Sequence, residues 1–108
     1  MSDAGRGELA SAVARLVDRA SHWTPPRWAA SSRSGRSRAD VMYDLVQQVA
    51  DRAADAEGQP RRVVPRLNND LALPDQLRVV AADLLAAEAD AAVLADAATL
   101  VTAVRRVL

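Results

Sequence analysis

Apolar residues recur along this chain at spacings of three and four in four separate stretches, the period of a helix with one buried face. Leu9, Val13, Leu16, Val17 and Ala20 form the first, with Arg15, Asp18 and Arg19 on the other side. They predict a helix over 8–22, which stops before Pro25 because the residue ahead of a proline is pushed out of the α region. Val41, Met42, Leu45, Val46, Val49 and Ala53 predict a second helix over 38–57, opened by the S-x-x-D signal of Ser37 and Asp40 and closed by Gly58, with Pro60 just beyond. Pro74 suits a first helical turn, where its missing N–H costs nothing, and Asp75 complements the positive end of the helix dipole. Leu77, Val80, Ala81, Leu84 and Leu85 follow on one face and predict a third helix over 74–87.

Nothing between Pro74 and Leu108 breaks a helix by composition, since the stretch lacks glycine and further proline. The phase breaks it instead. Val93, Leu94, Ala97, Leu100, Val101, Val104 and Leu108 form a stripe that a continuation of the preceding one misses by about half a turn at 3.6 residues per turn. Burying both stripes in one core requires an interruption near 87–90, with Asp90 as cap of a fourth helix over 90–107 and Arg105 and Arg106 at its negative end.

Two stretches have no period. Trp23-Thr24-Pro25-Pro26-Arg27-Trp28 reads as extended or polyproline-like, and residues 29–37 read as a mobile loop of serine and arginine. The second stretch carries Val63-Val64-Pro65 between arginines and ends in Asn68-Asn69-Asp70, a turn-forming cluster. It reads as an extended connector, because no partner strand exists for it. The expected fold is therefore all-α: one domain over 1–108, a compact four-helix bundle with two long irregular connectors. The helix over 74–87 is expected at its centre, with Leu71 and Leu73 packing its start against the helix over 38–57.

Composition strengthens the all-α reading, because half the residues are hydrophobic yet only 3% are aromatic and Phe is absent. The apolar mass is Ala, Val and Leu, and Ala is the best helix former. There is no cysteine, hence no disulfide framework, thiolate metal site or cysteine nucleophile. The first residues lack an apolar leader core, and no uncharged apolar run approaches the ~20 residues of a membrane span, so a soluble cytoplasmic protein with no membrane contact is expected. Formal net charge is zero, which argues against a dedicated polyanion binder. The charge is unevenly spread: residues 1–39 carry seven Arg against three acids, and residues 40–108 seven Arg against eleven acids.

The vocabulary of catalysis is thin. His22 is the single imidazole, and a lone histidine at a helix end is commonly a surface residue. Asp40, Asp44, Asp51 and Asp55 contain two i, i+4 pairs but lack the Glu-x-x-His partners of di-metal bundles, so they read as a solvated face. Gly35-Arg36-Ser37 lacks the closing glycine of a nucleophile elbow, and no phosphate-cradling glycine loop occurs. No cofactor, metal or enzymatic activity is expected. The remaining candidates are Trp23, Arg27, Trp28, Arg33, Arg36 and Arg38, since arginine forks bind anions and indoles stack or anchor. The two tryptophans also suit a structural clamp over the bundle end, the commoner fate of an indole beside a helix. The expected function is a protein–protein interaction or self-association module working through residues 23–38. The alternative is binding of nucleic acid or another polyanion through arginine loop 27–38; a DNA-reading helix-turn-helix is disfavoured, because the last two predicted helices carry Asp83, Glu88, Asp90 and Asp96 with no base between Arg78 and Arg105 and would be repelled by phosphate.

Overall fold

The computed structural model describes residues 3–108 and contains α1 (Asp3–Ala20), α2 (Pro25–Ala29), α3 (Arg38–Glu57), a 3-10 turn at Asp70–Ala72, α4 (Leu73–Ala86) and α5 (Ala91–Val107). The fold is an all-α bundle, with no strand among the described residues. Its four long helices are the four periodic stretches, although α1 begins at Asp3 and not at Glu8.

Polar contacts fix the helix directions. Arg52, in the second half of α3, joins Asp96 near the start of α5 at 2.9 Å, while Arg38 at the start of α3 reaches the Leu108 carbonyl at 3.1 Å, so α3 and α5 are antiparallel. Arg6 near the start of α1 donates to the Leu85 carbonyl at the end of α4 at 2.7 Å, so those two are antiparallel as well. Arg66 links Asp40 of α3 to Asp70 just ahead of α4, at 3.1 and 3.7 Å, which sets the starts of α3 and α4 side by side. Parallel neighbours cannot be joined by a tight turn. The chain must travel back along α3, 20 residues and about 30 Å long at a 1.5 Å rise. Residues 58–69, at about 3.3 Å each when extended, have the reach for it. The second connector is long because the topology demands a crossover of this kind.

Leu9, Leu16, Met42, Leu45, Leu77, Leu84 and Val101 are fully buried at the centre, each side chain contributing about 1.5–3 kcal/mol. At the start of α4, Leu73 is buried but Leu71 is 46% exposed, so only one of the two expected anchors serves. The capping of α3 follows its sequence: Ser37 Oγ accepts from the Asp40 N–H at 3.0 Å, and Gly58 takes the left-handed conformation at φ +70° that a side chain disfavours. Between α4 and α5 the helix is interrupted at 87–90, where Glu88 adopts φ +55° and Asp90 occupies the cap position without a side-chain cap bond.

Two expectations about the first connector are corrected. The tandem prolines begin a helix: Thr24 is extended, Pro25 and Pro26 fill the first helical positions, and the Trp28 N–H donates to the Thr24 carbonyl at 3.1 Å. A proline φ near −65° serves the first helical turn as well as a polyproline segment, and the absence of an N–H is harmless in both. The stretch 29–37, expected as an open loop, closes as a hairpin. Ser31 and Ser37 form an antiparallel bridge, the Ser32 N–H donates to the Arg36 carbonyl at 2.7 Å, and Gly35 turns the tip at φ +88°.

Candidate functional site

The first connector folds over the start of α3 and the end of α5, and it gathers all six candidate residues there. Trp28 is fully buried and Trp23 is 6% exposed, their rings meeting edge to face with centroids 4.9 Å apart. The guanidinium groups of Arg27 and Arg38 lie over the Trp23 ring at 5.1 and 5.6 Å, where the negative face of the indole attracts a cation. Arg38 is also a staple, its Nε donating to the Leu108 carbonyl and its Nη1 to the Arg27 carbonyl at 3.2 Å. The surface at this end is therefore narrower than the six residues suggest: the indoles belong to the core, and of the six it is the arginines that reach the surface.

The hairpin that carries them is braced from within. Ser32 is 7% exposed, and its hydroxyl donates to the Arg36 carbonyl at 2.8 Å. The Arg33 N–H donates to the Val107 carbonyl at 2.8 Å, and the Arg38 N–H to the Ala30 carbonyl at 2.9 Å, which ties the hairpin to α5 and to the end of α2. Arg36 hydrogen-bonds Asp44 on α3. The Arg33 side chain stands exposed beside the tip, with no partner among the described residues.

The acids of α3 take up a role that their spacing did not disclose. Asp44 holds Arg36 of the first connector, Asp40 holds Arg66 of the second, and Asp55 holds Arg61 through two hydrogen bonds at 2.7 and 3.0 Å. They form a rail to which both connectors are fastened. The Arg61 hydrogen bond keeps the Asp55 carboxyl below its ordinary range, and the same bond raises Arg61; the bond to Asp44 raises Arg36. Exposed pairs of this kind are individually weak. Their effect on recognition is larger, because Arg36, Arg61 and Arg66 meet on α3 as neutralised pairs and not as a basic patch.

A groove lies at the opposite end of α3. It encloses about 840 Å³ between the second half of α3, the 87–90 turn and the start of α5. Ala56, Ala89, Ala92 and Val93 give it an apolar component. Five carboxylates, Asp51, Asp55, Glu88, Asp90 and Asp96, line it against two guanidinium groups, Arg52 and Arg61. Arg52 is paired with Asp96 and Arg61 with Asp55 and, at 4.0 Å, Asp51, so Glu88 and Asp90 are left without a cation among the described residues. The groove escapes a reading of the sequence because its walls come from two regions some thirty residues apart; the acid excess of residues 40–108 is its one signal.

Other chemistry is sparse. His22 is exposed, with Ser21 Oγ 3.5 Å from its Nδ1. Among the described residues no group of three or more His, Cys, Asp or Glu is placed to hold a metal ion, and no helix is long and apolar enough to cross a membrane. No protein-family model, curated protein or solved structure matches the chain.

Proposed function

We propose that this chain is a non-enzymatic protein–protein interaction module, cytoplasmic and without a cofactor, whose working face is the arginine hairpin at the start of α3. The observation that carries the reading is the way Arg33 is offered: an unpaired guanidinium beside the tip of a hairpin braced by Ser32 and tied to α5 through the Val107 carbonyl. The backbone beneath Arg33 is already ordered, so binding has only the side chain left to fix, and more of each contact appears as affinity. Neutralisation of Arg36, Arg61 and Arg66 by α3 favours a protein partner over nucleic acid, whose binding depends on many unpaired cations.

Size-exclusion chromatography with light scattering at low salt, recording absorbance at protein and nucleic-acid wavelengths, tests the reading. The expected result is a dimer or heavier complex free of nucleic acid that Arg33→Glu disrupts. Co-eluting nucleic acid that Arg33→Glu releases would replace it with polyanion binding, and association unaffected by Arg33→Glu would remove the hairpin from the interaction.

A further inference from the structure

We infer that the acidic groove between α3 and α5 is the receptor for the arginine hairpin of a second copy of this chain, so that copies associate head to tail. The inference rests on the hairpin being the interaction face, and it adds what the face meets.

Three observations converge on a second copy as the occupant. The charges are complementary within one chain: the groove sets five carboxylates against two guanidinium groups, while the hairpin end carries Arg27, Arg33, Arg36 and Arg38 against Asp40 and Asp44. The unpaired members also match, since Glu88 and Asp90 lack a cation in the groove and Arg33 lacks an anion on the hairpin. Finally, formal net charge is zero, so copies meet without the overall repulsion that keeps a highly charged protein apart. Size is compatible as well, because the groove's volume of about 840 Å³ lies at the upper end of the range of about 300–1,000 Å³ found for ligand clefts, and only the Arg33-Ser34-Gly35 tip has to enter.

The two surfaces lie at opposite ends of α3, so one copy cannot satisfy itself. The interface is heterologous, with a different patch from each partner, and it builds chains unless the rotation between copies closes a ring. Attraction between exposed charges fades within a screening length of about 8 Å at physiological ionic strength. Association is therefore weak, concentration-dependent and lost in added salt.

Charge-reversed variants test the pairing. Arg33→Glu spoils the hairpin and leaves the groove intact; Glu88→Arg with Asp90→Arg spoils the groove and leaves the hairpin intact. In low salt the average mass of the unaltered protein should rise with concentration, each variant alone should stay monomeric, and an equimolar mixture should form mixed species that contain both variants. Those mixed species also show that both variants are folded. If Arg33→Glu alone abolishes association and mixing fails to restore a pair, the hairpin binds some other surface and this inference falls while the interaction reading stands. If the unaltered protein is monomeric at every concentration, self-association is excluded and the hairpin needs a different partner. If Arg33→Glu associates like the unaltered protein, both are wrong.

Discussion

The two connectors look alike along the chain, each lacking a period and each carrying prolines and arginines, yet the fold uses them in opposite ways. The first, 21–37, places a fully buried tryptophan in the core and closes a hairpin through its own backbone and Ser32. The second, 58–69, is nearly all exposed, with Val63 at 82%, and borrows its hydrogen bonds from neighbouring helices. Gln47 spans it with both ends of its amide, donating to the Arg62 carbonyl at 3.0 Å and accepting from the Val64 N–H at 2.8 Å. Tyr43 donates to the Val64 carbonyl and Gln76 to the Pro65 carbonyl at 3.1 Å. Gln47 thus stands where a neighbouring strand would stand. The lesson is that an aperiodic stretch becomes part of the core when it carries a large apolar ring, and remains a strap when topology merely needs its length.

The largest effect that separates the two lies at Trp28. Its Nε1 has no acceptor among the described residues, so packing alone holds the ring. Trp28→Ala should remove about 3–5 kcal/mol of stability, read by urea denaturation. A loss no larger than that of a surface substitution would erase the distinction between core and strap. Gln47→Ala should cost about 1 kcal/mol, the lower end for removing one partner of a hydrogen bond, because the freed groups of an exposed strap turn to water. It should speed hydrogen exchange at Val64 and leave the hairpin amides unchanged; equal acceleration in both connectors would mean that they open as one unit.

The smallest effect concerns the rail. Since Arg61 holds the folded-state pKa of Asp55 below its ordinary value, the pair adds stability above the ordinary carboxylate range and loses it as pH falls through the lowered value. Because both groups are on the surface, the change in stability should be slight, and the clearer readout is the titration of the Asp55 carboxyl by NMR. Arg61→Gln should move that titration back up toward an ordinary aspartate, whereas an unmoved curve would show that the second connector is not fastened there.

Much of the fold is legible in the sequence because its signals are local. Ser37 and Gly58 bound α3 through contacts within a turn, and the change of phase between Leu85 and Val93 separates α4 from α5 without any breaker residue. What escapes is either ambiguous or distant. Pro25 and Pro26 suit a helix start and a polyproline segment equally. The serines of 31–37 show no alternation, although together they close a hairpin. The pairing of Arg66 with Asp40 crosses 26 positions of sequence, and nothing local announces it. Of the site, the arginines could be read directly. The packing of the indoles over the bundle end could be read from their place beside a helix, whereas neutralisation of three arginines by α3 and the acidic groove depend on tertiary structure.

Rigid presentation of Arg33 requires the hairpin to be a fixed part of the folded body. Native-state hydrogen exchange at Ser32, Arg33 and Arg38, whose N–H groups are bonded to the Arg36, Val107 and Ala30 carbonyls, tests it most directly against Val63, whose N–H has no partner among the described residues. The three hairpin amides should exchange about as slowly as those in the middle of α3, with Val63 exchanging freely. Hairpin amides that exchange as fast as Val63 would contradict this, leaving Arg33 on a mobile loop and its rigid presentation without foundation.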